Sequence, residues 1–456
     1  MRTGGNDADV TLKILPLYVS TSGTAEGDGS EANPFASIDA AFEWIRSIDY
    51  AGGNYTIILK DSFSTPLSIS DSSSALPAAS LALEGVEGGS VQISGNSSNP
   101  ALTLDLSVPV TVKNLKFTGG SGTSNYHDGG GIYLKAGSLT LASGAVVTGN
   151  NAGTSGGGIY VEGGTLTLAN GSKVSNNTAV SYGGGIFAAS GSVTLEAGCE
   201  ISGNSATSNG GGGVLVDGSA QFTMTGGTIS GNTADGMGGG VALADEEASF
   251  SLSGGTISEN TGEYGGAIYM SKGNCDISGG TISENTATED GGAMCIEGGT
   301  CTMSNGEIRA NSAKKGGAIY IGGFSPPYPS QGTFNMSGGK IQNNNHSSDA
   351  TAKCKGIYVA SMADSCNLSG SAYLGTNDDI FIEYDSFFKP ISVDGNLSEH
   401  DTSHTIRITL DASSSEFNSR FEGQTIVTGL NGQDDKFAVY LTDGITQKSL
   451  TNGIVQ

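Results

Sequence analysis

The sequence predicts an all-β chain folded as a right-handed parallel β-helix, a solenoid with an N-terminal capping helix and a β-rich C-terminal cap. Three repeating signals predict it. From about residue 127 to 323 a Gly cluster recurs, each time leading into an aliphatic residue: Ile132, Ile159, Ile186, Val214, Val241, Ile268, Met294 and Ile319, spaced 25 to 28 residues apart. A short pleated pair follows, as in Leu139-Thr-Leu141, Leu166-Thr-Leu168, Val193-Thr-Leu195 and Phe222-Thr-Met224. An aliphatic then precedes an Asn: Val174 with Asn177, Ile201 with Asn204, Ile229 with Asn232, Ile257 with Asn260, Ile282 with Asn285 and Ile308 with Asn311. A fixed period is the mark of a stacked repeat. Three short strands per unit, each alternating inward and outward side chains, make one three-sided coil. Roughly ten or eleven coils at ~4.8 Å each give a rod on the order of 50 Å long. Membrane barrels use alternating segments of about ten residues and propellers use blades of ~40, so this period fits neither.

The elements follow in chain order. Residues 1–60 form the leading segment. Leu17-Tyr-Val-Ser-Thr-Ser22 reads as a strand, and a polar Gly-rich loop runs on to Asn33-Pro34-Phe35. Ile38, Ala41, Phe42 and Ile45 recur at helical spacing, which predicts a helix over 36–48 that Gly52 and Gly53 bring to an end. Tyr55–Lys60 reads as a strand. A helix over the first coil covers apolar core and unpaired strand edges that would otherwise invite aggregation.

Residues 61–370 carry the coils. The early ones are less regular, with strands at 81–83, 91–93, 102–104 and 110–112, and three prolines make 323–332 an insertion outside the ladder. From 371 to 456 the Gly clusters vanish while strand-like runs continue, which predicts irregular final coils or a β cap.

The recurring polar residues have structural readings. Asn tolerates left-handed backbone geometry, and its amide, stacked coil upon coil, donates to one neighbour and accepts from the other. Asn150, Asn177, Asn204, Asn232, Asn260, Asn285 and Asn311 form the expected ladder. Pairs such as Gly265-Gly266 permit positive φ and close backbone approach. Cys275 and Cys301 fall in one repeat slot, also filled by Phe222, Phe250 and Phe334, and read as buried thiols or a coil-to-coil disulfide.

Composition narrows the partners. Twenty Lys and Arg against 45 Asp and Glu give a formal charge of −25, which repels nucleic acid and anionic membranes. An anionic polysaccharide would need Ca²⁺ to bridge it, and no calcium nonapeptide repeat is present, so no cofactor or metal is expected. His127, His346, His400 and His404 are isolated, without a third ligand in view. No apolar run reaches the ~20 residues of a membrane span. No apolar signal region follows the opening Met-Arg-Thr-Gly-Gly, so the chain is expected either to be intracellular or to have lost a leader or lipid anchor, and the repeats favour the second. The expected location is secreted or cell surface.

The strand, Gly-rich loop, Asn-Pro-Phe and helix over 17–60 resemble the start of many pectin-lyase-like β-helix proteins. Gly265-Gly-Ala-Ile268 and Gly316-Gly-Ala-Ile319 are similar to the Gly-Gly-Ala-Ile tetrapeptide of the chlamydial polymorphic outer-membrane proteins. Their second motif, Phe-x-x-Asn, appears here with an aliphatic first residue, as in Ile257-Ser-Glu-Asn260. The resemblance covers about 127–323 and implies a bacterial, surface-exposed, adhesin-like passenger. The last ~85 residues are too short and polar for an autotransporter barrel.

Candidate function sits in the loops between each Asn and the next Gly cluster, which share one side of the rod. They present Tyr126, Asp128, Tyr182, Asp235, Met237, Glu263, Tyr264, Glu289, Asp290, Lys314 and Lys315. Tyrosines and carboxylates at coil spacing suit a sugar chain by stacking and hydrogen bonding, so the expected partner is a glycan or a host surface protein. Tyr133, Tyr160, Phe187, Tyr269 and Tyr320 are expected as a second, exposed stripe on another face, which aromatic stacking from coil to coil suffices to explain. No catalytic residue is assigned. The alternative is a polysaccharide lyase or glycoside hydrolase, for which Asn377-Asp378-Asp379 is the nearest local candidate. An acidic cluster across at least three coils with a Lys or Arg beside it would favour that alternative, and the sequence alone displays none.

Overall fold

The computed structural model describes residues 15–48, 52–71, 75–88, 90–122, 129–322, 331–348, 353–360, 363–383, 390–395, 397–398, 405–412, 416, 420–422, 424–430, 432–442 and 446–456. Successive coils pair in parallel with a register that repeats the sequence period: Leu139 meets Leu166, Leu166 meets Val193, and Val193 meets Phe222. The pairing builds a leucine wall of fifteen strands, a tyrosine wall of fifteen, and an eleven-stranded wall that precedes the ladder asparagines. Alternation fixes what lies inside. In Ser192–Leu195 the Val and Leu are buried and the Ser and Thr are half-buried. In Ile268–Met270 all three residues are buried.

Each central coil holds four strands, one more than the three expected. Immediately after the ladder Asn, pairs such as Thr178–Ala179 and Ser205–Ala206 form an additional eight-stranded strip. The Ala is buried and its partner half-buried. The stack is also longer than ten or eleven coils, because pairing begins at Leu17 and continues through Phe437–Leu441. Fifteen strands at ~4.8 Å per step span on the order of 65 Å.

Both ends are closed. The helix Ile38–Ile48 buries Ile38, Ala41, Phe42 and Ile45 over the first coil, and the Ala40 amide donates to Ser37 Oγ at 3.2 Å ahead of it. Phe35 bridges to the outer edge of Leu17–Thr24. At the other end, Gln447–Lys448 pairs antiparallel with Phe437–Leu441, and Leu450–Thr451 turns back onto Ile454–Val455. Asn452 and Gly453 make that turn at φ of 51° and 77°, the geometry an Asn-Gly hairpin favours.

One inward slot of the leucine wall runs Phe222, Phe250, Cys275, Cys301, Phe334, Cys366. Phe222 and Phe250 stack at 5.0 Å, while Cys275 and Cys301 are buried free thiols on adjacent coils. The small pair fills the space between bulky rings.

The seven asparagines named above are buried in one continuous ladder. The Asn204 side-chain amide donates to Asn232 Oδ1 at 2.9 Å and to the Val174 carbonyl at 3.0 Å, while the Asn204 backbone N–H reaches the same Asn232 Oδ1 at 2.9 Å. The pattern runs on through Asn344 and ends at Asp378, whose Oδ1 accepts from the Asn344 amide and backbone at 2.8 and 3.0 Å. Positive φ belongs to the residue before each ladder Asn, among them Asn176, Glu259, Glu284, Ala310 and Asn343, and not to the ladder Asn itself. At the tyrosine-wall corner the first Gly of each cluster needs its freedom: Gly265 has φ of 65°, and a Cβ there would lie 2.2 Å from the Ile268 carbonyl oxygen.

Candidate functional site

The loop residue before each Gly cluster stands in register with its copy one coil away. Ser155, Tyr182, Gly210, Met237 and Tyr264 bridge in sequence, and Asp290, Lys315 and Lys353 do the same. Gly265 N donates to the Asp290 carbonyl at 2.9 Å, which joins the two runs. Tyr182 and Met237 are exposed at 41% and 37%. Tyr264 is half-buried, Asp235 is exposed, and Glu263, Glu289 and Asp290 are half-buried. Glu289 accepts from Lys314 Nζ at 2.5 Å. Tyr182 and Tyr264 are separated by Gly210 and Met237, so their backbone positions stand about 14 Å apart along the axis. Tyr126 and Asp128 lie outside the described residues, as do His127, His400 and His404.

The second aromatic stripe is not exposed. The outward slot of the tyrosine wall runs Tyr133, Tyr160, Phe187, Leu215, Ala242, Tyr269, Cys295, Tyr320, Tyr358, Phe381. Tyr160, Phe187, Tyr269 and Tyr320 are buried and Tyr133 is half-buried. The rings cover one another: Tyr160 stacks on Phe187 at 5.1 Å, Tyr320 on Tyr358 at 5.5 Å, and Tyr358 on Phe381 at 4.9 Å. Ala242 divides the slot into two apolar clusters. Offset stacking at such distances is itself favourable, so the rings satisfy each other and leave little face for a ligand.

Carboxylates tie down the tyrosine hydroxyls. The residue just after each tyrosine-wall strand forms another column, and at three places it is Glu. Tyr133 donates to Glu162, Tyr269 to Glu297 at 2.5 Å and Tyr358 to Glu383 at 2.8 Å, each one coil on. Glu297 is buried, and burial, with the charge of Asp290 adding, pushes its carboxyl up to about 7 against the opposing Tyr269 hydrogen bond. Burial likewise pushes Asp290 up to about 6, with Lys315 pulling down and Glu289 and Glu383 pushing further up. Lys315 Nζ lies 5.9 Å from the Tyr320 ring and 5.3 Å from the Tyr358 ring, and Lys353 Nζ is 3.3 Å from Asp411. Asp290 and Glu297 flank the strand Met294–Ile296 on one coil. Near neutral pH such carboxyls are partly protonated, which equips them to donate or accept protons.

Sequence reading missed Glu297 and Glu383. The available signal was a Tyr followed 25 to 29 residues later by a Glu, as in Tyr133 with Glu162, Tyr269 with Glu297 and Tyr358 with Glu383. The Asn377-Asp378-Asp379 run is held in the scaffold: Asp378 closes the ladder, and Asp379 accepts from Thr409 Oγ1 at 3.0 Å and Lys355 N at 3.2 Å. Among the described residues no three His, Cys, Asp or Glu side chains are grouped to hold a metal ion, and no helix is long and apolar enough to cross a membrane.

Residues 157–334 match the family model described as a right handed beta helix region. Comparison with curated proteins and with solved structures gives no significant match. The matched segment covers the most regular coils and supplies the hand of the winding, which parallel crossovers favour in any case. With the coils of the long walls paired in parallel from Leu17 through Phe437–Leu441, the chain folds as a right-handed parallel β-helix.

Proposed function

We propose that the chain is a secreted or cell-surface binding protein of a bacterium, presenting the loop column from Ser155 to Lys353 to a glycan, or to a protein of a host surface. The observation that supports this is the in-register column itself, with Tyr182 and Met237 exposed and Asp235 beside them. Rigid strands hold the two tyrosines at fixed separation, so a chain-like ligand meets a surface already organised to receive it. A glycan array probed with the full chain tests the reading. Tyr182→Ala and Tyr264→Ala are each expected to weaken a bound glycan at least five-fold, about 1 kcal/mol. A ligand held equally by both variants would place recognition elsewhere.

A second reading is a glycoside hydrolase, and the observation that favours it is the pair Asp290 and Glu297 on one coil, both shifted toward neutrality by burial, Asp290 with Lys315 and Glu383 acting on it and Glu297 with Asp290 acting on it. Hydrolysis of a glycosidic bond uses two carboxyl groups, one of them a proton donor. A reducing-end assay on glycans retained by the array separates the readings. Product formed by the native chain and lost in Glu297→Gln supports the enzyme; binding with no product supports the adhesin.

A further inference from the structure

The N-terminal end of the rod holds a cavity of about 780 Å³ between the first strand, the Gly-rich loop and the capping helix. Tyr18, Trp44 and Tyr55 line it, with Ile48 at one side and the acidic residues Asp28 and Glu31 among its walls. Trp44 and Tyr18 are half-buried, so each keeps part of its surface accessible, and Tyr55 is buried behind them. The capping role described above rests on Ile38, Ala41, Phe42 and Ile45; Trp44 packs partly against the same core but keeps accessible surface toward the cavity, and Ile48 is exposed.

Asp28 and Glu31 are exposed, and Asp28 Oδ1 is oriented by the Ser30 amide at 2.9 Å. Lys60 Nζ is engaged at 3.1 Å with the Glu31 backbone carbonyl. The cavity therefore combines aromatic surface, an aliphatic wall and two carboxylates, and among the described residues no cationic side chain lines it. Aromatic faces attract cations through the ring quadrupole, and Trp does so best. The two carboxylates attract a cation and give a neutral guest no added attraction, and an anion would be repelled by them as well as by the chain's charge of −25.

We infer that this cavity binds an organic cation, a quaternary ammonium or alkylammonium group carrying an apolar body, with Trp44 and Tyr18 as the aromatic surface and Asp28 and Glu31 as the counter-charge. The site is independent of the loop column and stands whether or not that column binds a glycan. Its volume lies within the range of ordinary small-molecule sites.

Trp44 is the one tryptophan in the chain, so its emission reports on this cavity alone. The full chain is titrated with hexyltrimethylammonium, with choline, and with 3,3-dimethylbutan-1-ol, the uncharged carbon counterpart of choline. The expected result is a saturable emission change with both ammonium probes, tighter for the hexyl compound, and affinity for the neutral alcohol at least ten-fold below that for choline. Asp28→Asn/Glu31→Gln should weaken the ammonium probes at least five-fold with the thermal midpoint unchanged, since both carboxylates are exposed. Trp44→Leu, read by calorimetry, should weaken them at least as much. Absence of a saturable change, or equal affinity for choline and the alcohol, overturns the inference. So does a chain starting at Leu15 that binds the probes when the full chain does not, because residues 1–14 would then be the occupant.

Discussion

At Ala310 the backbone adopts φ of 55°, a conformation that glycine provides at the corresponding Gly149, Gly203 and Gly231. An L-residue there costs about 1–2 kcal/mol, while the added freedom of Gly in the unfolded chain costs about 0.4–1 kcal/mol. Ala310→Gly is therefore expected to stabilise by roughly 0.5–1 kcal/mol; a lower denaturation midpoint would show that the neighbouring coils already relieve the strain. Sequence reading placed the left-handed residue one position too late, at the Asn, because Asn is the more visible signal. A second residue-scale effect sits at Asp378. It is buried, its Oδ2 has no hydrogen-bond partner among the described residues, and burial raises its pKa. Each ladder amide also donates back to a carbonyl of the preceding coil, as Asn344 does to Ile308 at 3.1 Å. At 378 the register partner of Ile308 is Ile341, and a neutral acid can donate to it where a carboxylate cannot. With the folded pKa above the unfolded one, the stability this group contributes is present in full below the unfolded value of about 3.9 and is lost as pH rises through the folded value. Asp378→Asn should match the parent near pH 4 and exceed it at pH 8 by about 1–2 kcal/mol. Equal midpoints for the two chains at pH 8 would refute the neutral acid.

Among the elements, the ladder illustrates how a single side chain serves two coils. Asn232 Oδ1 accepts both the Asn204 side-chain amide and its backbone N–H at 2.9 Å, and its own amide donates to Asn260 Oδ1 at 2.9 Å and the Ile201 carbonyl at 3.0 Å. Asn232→Ala strands two buried donors and removes two donations, which should cost about 2–5 kcal/mol. Thr233→Ala, at the exposed neighbouring position, is the control and should stay within ~0.5 kcal/mol of the parent. A thermal melt in which the two variants fall together would mean that the ladder contributes little. The long walls were legible in the sequence because period-two alternation recurs there at fixed spacing. The strip of Thr178–Ala179 and its copies was not, since a two-residue strand offers no period to detect. The tyrosine stripe was legible as outward-facing but not as buried. Direction follows from alternation along one strand, whereas burial depends on which ring lies one coil away. The Tyr269 to Glu297 contact was hidden for the same reason, because its partners are 28 residues apart.

Across the whole molecule the wall strands pair only with their copies on the two adjacent coils, so stability should divide largely into coil terms and interface terms, with the ends specialised as caps. The register implies a direct consequence. Val214 pairs with Val241 and Val241 with Ile268, while Asn232 bonds to Asn260 and Asn260 to Asn285. Excising residues 238–264, 27 in all, brings Val214 to Ile268, Phe222 to Cys275 and Asn232 to Asn285. Every wall keeps its face, and both caps are untouched. The shortened chain should fold with the same far-UV circular dichroism per residue and a thermal midpoint within about 5 °C of the parent. Excising only 238–251 instead carries one wall's strands onto another's positions, turns inward side chains outward and breaks the ladder at Asn232. That chain should fail to give a cooperative transition. If both deletions unfold the protein, the coils are not interchangeable units, and the rod depends on contacts reaching beyond nearest neighbours.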